Sequence, residues 1–83
     1  ENIEHAFNAM GKGGNAACIL NAANEVTVQL FLEEQIGFAE IAKLNGAALE
    51  TVQFLPKPSL EDLYETDRAT REWVANHVTA KQH

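Results

Sequence analysis

Apolar side chains recur at helical spacing along the whole chain, and no stretch alternates apolar and polar residues over the length of a strand. The pattern predicts a first helix over residues 3–10, which the glycine-rich segment 11–14 ends. A second helix is predicted over residues 15–35, with Asn15 as its N-cap and Gly37 as its break. A third helix is predicted over residues 39–53.

The second predicted helix is apolar on two sides. Its broad stripe contains Ile19, Leu20, Ala23, Val26, Leu30 and Phe31, whereas Val28 and Leu32 lie on the far side and flank Glu25. A helix with two apolar faces is typical of the centre of a bundle or of a surface that another domain covers. The third helix is predicted to turn one face inward, with a single amide in the middle of it: Ile41, Leu44, Asn45, Ala48, Leu49 and Val52.

The last third of the chain begins with an extended connection, because Pro56 and Pro58 each disfavour helix in the residue before them. Residues 59–62 have the spacing of a capping box, and we expect a short turn there that reaches Tyr64. A last helix is predicted over residues 66–81, with an inner face of Ala69, Trp73 and Ala80 and with His77 at its edge. The fold class is therefore all-α, a four-helix bundle-like domain whose antiparallel helices have short connections.

Length and charge limit the possible functions. The 83 residues form one domain at most, and a core of that size is only marginally stable without a partner domain or an oligomer. The net charge of −6 argues against binding to nucleic acid or to an anionic membrane, and no apolar run is long enough to span a bilayer. The single cysteine, Cys18, fits a reducing compartment, which favours a cytoplasmic location. The chain starts at Glu1 inside a predicted helix, so we expect it to belong to a longer protein.

Candidate chemistry is sparse, and we assign no catalytic, cofactor-binding or metal-binding residue. The segment 11–14 lacks the hydroxyl residue and the preceding strand of a phosphate loop. His5, His77 and His83 have no second ligand one helical turn away. Cys18 has no flanking base, and the acidic cluster of Glu61, Asp62, Glu65 and Asp67 is typical of helix N-termini, although it could also bind a hard cation.

One polar segment stands beside the broad apolar stripe, at residues 21–25. Asn21 and Glu25 share a helix face, Asn24 lies at the rim of the stripe, and Val28 and Leu32 extend the face of Asn21 and Glu25. The segment is either a set of solvated polar groups or a polar lock that docks the helix on another domain. We favour docking, and the predicted docking residues are Asn21, Asn24, Glu25, Val28 and Leu32.

The same segment resembles a known family. Residues 20–28 read LNAANEVTV and are followed by Phe31 and Leu32, which is similar to L-N-A-A-N-E-[IV]-x-V…F-L in the C-terminal domain of the 1-deoxy-D-xylulose 5-phosphate reductoisomerase family. Residues 38–41 resemble the F-x-[DE]-I helix start of that family, residues 41–45 its I-A-x-L-N pattern, and residues 67–72 its D-x-x-[AT]-R-E helix. Phe7, Ala9 and the glycine turn at residues 11–14 resemble the helix that enters the domain, so the resemblance spans nearly the whole chain.

The resemblance implies a parent enzyme that converts 1-deoxy-D-xylulose 5-phosphate to 2-C-methyl-D-erythritol 4-phosphate in the non-mevalonate isoprenoid pathway. It implies NADPH and a divalent metal (Mg²⁺, Mn²⁺ or Co²⁺) as cofactors of that parent, bound by an N-terminal and a central catalytic domain in a homodimer. The present chain would then be the structural C-terminal domain that supports the catalytic domain. It would bind no cofactor itself and could self-associate when isolated.

Two other functions remain open. A stand-alone helical protein-interaction module would use the Val28 and Leu32 face to bind another protein, and it would be stable and monomeric. A small independent enzyme would need a catalytic constellation that the sequence lacks.

Overall fold

The computed structural model describes the backbone of residue 5 and residues 11–81, and the side chains of residue 5 and residues 11–78. The described residues form three helices and no strand: α1 over Ala16–Leu32, α2 over Phe38–Thr51 and α3 over Leu60–Lys81. The all-α prediction is therefore confirmed. Except for His5, which is helical, the first predicted helix at residues 3–10 lies outside the described residues, as does the side chain of Ala80.

The turn before α1 is shorter than predicted. Gly11 and Lys12 are still helical, and the positive φ values that require glycine occur at Gly13 (73°) and Gly14 (56°). A Cβ on Gly14 would lie 2.3 Å from the carbonyl oxygen of Leu55, so the turn also needs glycine for a close approach of two backbones. The turn therefore starts at residue 13 and packs directly on the connection before α3.

Helix α1 is central, as its two-sided pattern predicts, because it packs against both α2 and α3, which touch each other only slightly. The core cluster draws side chains from all three helices and from the α1–α2 connection: Ile19, Ala23, Ile36, Ile41, Leu44, Ala48, Val74 and Val78. The inward face predicted for α2 is confirmed, with Leu49 and Val52 packed at its margin.

The predicted turn at Tyr64 is wrong, since α3 is one helix of 22 residues from Leu60 to Lys81. Its start follows the prediction: the Ser59 hydroxyl accepts the Asp62 N–H at 3.1 Å, and the Asp62 carboxylate accepts the Ser59 N–H at 3.0 Å. The stretch after it is rich in acidic residues. Ion pairs one turn apart, such as Arg68 with Glu72, support the helix through that stretch.

The inner face of α3 is also displaced from the prediction. Val74 is fully buried, Thr66 and Thr70 are buried below it, and Trp73 is only half-buried beside the core, with its ring stacked on His77 at 4.8 Å. Both threonines enter the core with a hydrogen-bonded hydroxyl. Thr70 Oγ1 donates to the Thr66 carbonyl within the helix at 2.7 Å, and Thr66 Oγ1 accepts a bond from the Asn15 side chain at 3.0 Å. The large indole of Trp73 covers the edge of the core rather than filling it.

Helix α1 ends in a Schellman motif. The N–H of Gln35 bonds to the carbonyl of Leu30 at 2.8 Å, and the N–H of Glu34 bonds to that of Phe31 at 3.0 Å. Glu34 occupies the left-handed position of the motif, with φ 61°, where glycine is usual. A residue with a Cβ is strained in this conformation.

No helix among the described residues combines the length and the apolar character needed to cross a membrane.

The left-handed backbone of Glu34 at the end of α1 leads to a prediction. Replacing Glu34 by glycine should stabilise the isolated chain by about 1 kcal/mol, because glycine adopts the left-handed conformation without the Cβ penalty. Thermal and urea unfolding would measure the gain. Glu34→Gln is the matched control, since it keeps the strained Cβ and should leave stability nearly unchanged. An equal gain in both variants would attribute the effect to charge rather than to the backbone.

Candidate functional site

The polar segment at residues 21–25 first meets α2 through a buried amide. Asn45 is fully buried, its Nδ2 donates to Asn24 Oδ1 at 3.0 Å, and its Oδ1 lies 3.0 Å from the hydroxyl of Thr27. The Thr27 hydroxyl is also 3.2 Å from the backbone carbonyl of Asn24. The burial and hydrogen bonding predicted for Asn45 are confirmed. Asn24 is half-buried and turned toward α2, so its amide takes part in the packing of the domain itself.

The same segment meets α3 through an ion pair. Arg71 contacts the carboxylate of Glu25 with one guanidinium nitrogen and bonds to Asp67 Oδ2 through Nε at 2.9 Å. The hydrogen bond to Asp67, followed by the one to Glu25, raises the pKa of Arg71 above its usual value. Two motifs that are 46 positions apart in the chain are thereby joined. The pair remains partly exposed, so it orients α1 on α3 more than it stabilises them.

The predicted docking residues thus separate into two groups. Asn24 and Glu25 make contacts inside the domain. Asn21, Val28 and Leu32 are exposed, with 37% of Val28 and 68% of Leu32 accessible to solvent. We call Asn21, Val28 and Leu32 the exposed α1 face. Its apolar surface continues into Phe31, which meets the ring of Phe38 edge to face at a centroid distance of 5.8 Å.

The structure also contains a polar centre that the sequence did not reveal. The prediction made Asn15 an N-cap, but its side chain makes no capping bond. Asn15 is instead fully buried: its Nδ2 donates to the Gln53 carbonyl and to Thr66 Oγ1, both at 3.0 Å, and its Oδ1 accepts the Leu55 N–H at 2.7 Å. No local pattern could signal this role, because all three partners lie at least 38 residues away.

Lys12 and Cys18, which the sequence offered as candidates for chemistry, make contacts that belong to the packing of the domain. Lys12 lies over the ring of Phe54, with its ammonium 4.4 Å from the centroid. Cys18 is half-buried, and burial, followed by the negative charge of Asp67, raises the pKa of its thiol while Arg71 lowers it. A thiol of this kind is less ionised and less nucleophilic than a free one.

Most members of the acidic cluster, and His5, also make hydrogen bonds or ion pairs within the domain. Asp62 caps α3, Glu65 pairs with Arg68, and Asp67 pairs with Arg71. His5 bonds through Nε2 to the carbonyl of Ala42 at 3.1 Å, whereas His83 lies outside the described residues. Within residue 5 and residues 11–78, no three acidic, histidine or cysteine side chains come together to hold a metal ion.

The fold and these contacts define a small helical domain whose polar segment ties its own helices together and leaves one apolar edge exposed. The family model of the DXP reductoisomerase C-terminal domain matches residues 1–73, and the chain belongs to this family. No solved structure matches the chain.

Curated relatives agree with this assignment. A protein of Shewanella baltica is 48% identical over 69 residues, which cover 83% of this chain and 17% of that protein. A protein of Porphyromonas gingivalis is 41% identical over 80 residues (96% and 20%), and one of Bacillus cereus is 37% identical over 76 residues (92% and 20%). All three carry the name 1-deoxy-D-xylulose 5-phosphate reductoisomerase. The chain thus spans about a fifth of the length of these relatives.

Asn45→Leu should lower the free energy of unfolding by about 1–3 kcal/mol, because Asn24 and Thr27 each lose a buried hydrogen-bond partner. Urea unfolding measures the loss, and Asn76→Leu is the control, since Asn76 is exposed. Equal stabilities for the two variants would show that water replaces the lost partner.

Asn15→Ala should also destabilise the chain, by about 1–3 kcal/mol, since the Leu55 N–H loses its acceptor and the Gln53 carbonyl and the Thr66 hydroxyl lose a donor. Asn21→Ala removes an exposed amide from the same helix and should cost much less. A loss at residue 15 no larger than that at residue 21 would contradict the role assigned to Asn15.

Proposed function

We propose that this chain is the structural C-terminal domain of a 1-deoxy-D-xylulose 5-phosphate reductoisomerase and that it supports the catalytic domain of the same polypeptide. The family membership and the names of the relatives support the parentage. The observation that carries the structural role is the exposed α1 face, where Leu32 is 68% accessible although its helix is the centre of the domain. Covering an apolar face of this kind is favourable, so it suits a neighbouring domain.

The parent reaction follows from that identity. It is the rearrangement and reduction of 1-deoxy-D-xylulose 5-phosphate to 2-C-methyl-D-erythritol 4-phosphate, in isoprenoid biosynthesis, with NADPH as hydride donor and Mg²⁺, Mn²⁺ or Co²⁺ as the metal. The donor set of the described residues does not fit such a metal site, because no group of three ligating side chains exists among them. We therefore assign the metal and NADPH to the rest of the parent and derive no chemical step from this chain.

Three further features belong to the same proposal. The finer part of the fold, a four-helix bundle-like domain, is supported by the helical conformation of His5, Gly11 and Lys12, while the rest of the predicted helix at residues 3–10 lies outside the described residues. The parent is a cytoplasmic homodimer, which a free, half-buried Cys18 suits because a reducing compartment keeps thiols unpaired. The exposed α1 face supplies apolar area for docking, and the amide of Asn21 at its end orients the docked domain.

The docking role is tested by the double change Val28→Ser, Leu32→Ser. Full burial of an exposed side chain contributes about 1.5–3 kcal/mol. Docking would cover only the exposed 37% of Val28 and 68% of Leu32, so the parent enzyme should lose about that amount for the two changes together. The isolated chain should keep its helical circular dichroism, because both side chains are already exposed in it. Differential scanning calorimetry of the parent and circular dichroism of the isolated chain are the measurements.

Leu60→Ser provides the matched control, since Leu60 is 66% exposed on α3 and lies outside the exposed α1 face. An equal loss of parent stability in the control would contradict docking through α1. Unfolding of the isolated double variant would instead assign Val28 and Leu32 to the core. A stable monomeric chain whose variants affect only binding to another protein would favour the interaction module.

The isolated chain should not oxidise NADPH in the presence of 1-deoxy-D-xylulose 5-phosphate and Mn²⁺. The reason is the poor fit of its donor set, and absorbance at the NADPH band against a protein-free blank is the measurement. Turnover that point changes in this chain abolish would refute the structural role.

A further inference from the structure

An open groove separates the end of α1 from the start of α2. Its volume is about 580 Å³, and Phe31, Leu32 and Ile36 form its apolar lining while Glu34 and Glu40 bring carboxylates to it. We call this feature the acidic groove.

Glu34 is the unusual member of the acidic groove. Its backbone holds the left-handed conformation that favours glycine, and its side chain is exposed. Its carboxylate makes no hydrogen bond or ion pair with any residue that the structure describes. Within the isolated domain, a strained backbone thus carries a carboxylate that stabilises nothing. Strain of this kind is typical of positions that serve binding.

Two sources make the electrostatic potential at the acidic groove negative, and no basic residue in the last turn of α1 offsets them. Glu33 and Glu34 follow the last turn of α1, the carbonyl end of the α1 dipole points to the same place, and that turn contains no basic residue. In the sequence, no lysine or arginine occurs between Lys12 and Lys43. A cationic group placed there would meet uncompensated negative charge, whereas an anionic one would be repelled.

We propose that the acidic groove binds a segment of the parent polypeptide in which a large apolar side chain is followed by a lysine or arginine. The apolar side chain packs on Phe31, Leu32 and Ile36, and the cation pairs with Glu34. This proposal rests on the proposed function, because the four fifths of each relative that this chain does not match would supply the segment. A second copy of the chain fits poorly, since two chains of charge −6 repel each other.

A comparison of two contexts tests the proposal. In the isolated chain, E34G should raise the unfolding midpoint and E34Q should leave it nearly unchanged. In the parent enzyme, E34Q should lower the midpoint, and the gain from E34G should vanish or reverse, because both lose the ion pair with the docked segment. E33Q is the control in both contexts, since Glu33 already accepts a bond from Gln29 at 2.9 Å. Equal shifts for each variant in the two contexts would overturn the proposal.

A direct probe gives the second measurement. N-acetyl-Phe-Lys-amide should shift the backbone amide resonances of residues 34–37 in the isolated chain, and N-acetyl-Phe-Glu-amide should not. E34Q should weaken the Phe-Lys response at least threefold at low salt, and V28S should leave it unchanged. Equal responses to the two dipeptides, or none to either, would overturn the proposal. Self-association of the chain that shifts the same amides would assign the acidic groove to a second copy instead.

The acidic groove and the exposed α1 face can fail separately. Leu32 belongs to both features, so V28S alone is the change that separates them. If the parent loses stability with V28S but treats Glu34 variants as the isolated chain does, docking through α1 stands and the acidic groove does not. If neither set of variants distinguishes parent from isolated chain, the proposed function itself is contradicted.

Discussion

The buried side chain of Asn15 is the constraint on which the arrangement of this domain depends. It bonds the start of α1 to the connection at Gln53 and Leu55 and to Thr66 in α3. Only a side chain with two donor hydrogens and an acceptor can meet all three partners, which is why an amide occupies the position. The neighbouring Gly14 lets the two backbones approach closely enough for these bonds to form.

With the start of α1 fixed in this way, its polar segment can serve two neighbours at once. Asn24 and Thr27 face the buried Asn45 on α2, and Glu25 faces Arg71 on α3. Ala22 and Ala23, which directly precede Asn24, are fully buried and allow the helices to pack closely. The segment that resembles the family most specifically is therefore the junction of the three helices. Polar contacts of this kind favour one packing arrangement over others, at little gain in stability.

Local sequence patterns predicted much of this structure, whereas features that depend on contacts between distant residues were not predicted. The start of α2 after Gly37, the extended connection at Pro56, the capping box before α3 and the inward face of α2 follow from backbone preferences and from apolar spacing. The predicted end of the second helix at residue 35 is wrong, since α1 ends at Leu32 and Glu34, not Gly37, takes the left-handed conformation that follows it. The continuity of α3 was missed because ion pairs rather than apolar residues hold its acidic stretch. Its inner face was misplaced because threonines resemble surface residues in sequence, although the hydroxyls of Thr66 and Thr70 are hydrogen-bonded inside the fold.

In the candidate site too, local patterns predicted some features, and contacts between distant residues were missed. The position of Asn45 on the inward face of α2 was enough to predict its burial. The pairing of Glu25 with Arg71 and the contacts of Asn15 join residues that are tens of positions apart, and a single sequence carries no measure of that proximity. Asn24 was accordingly expected at a docking surface, although its amide faces α2.

The bonds of Asn15 also bear on the order in which the chain folds. The amide contacts between α1 and α2 close loops of 18 and 21 residues, whereas the bonds of Asn15 close loops of 38 to 51. Since closing a loop costs more entropy as it lengthens, by about 0.6 kcal/mol for each doubling, the α1–α2 hairpin is favoured as the early unit. The Leu55 amide becomes protected only when the long loop has closed. Its exchange with deuterium therefore reports on the completed fold, while amides in α1 report on the hairpin.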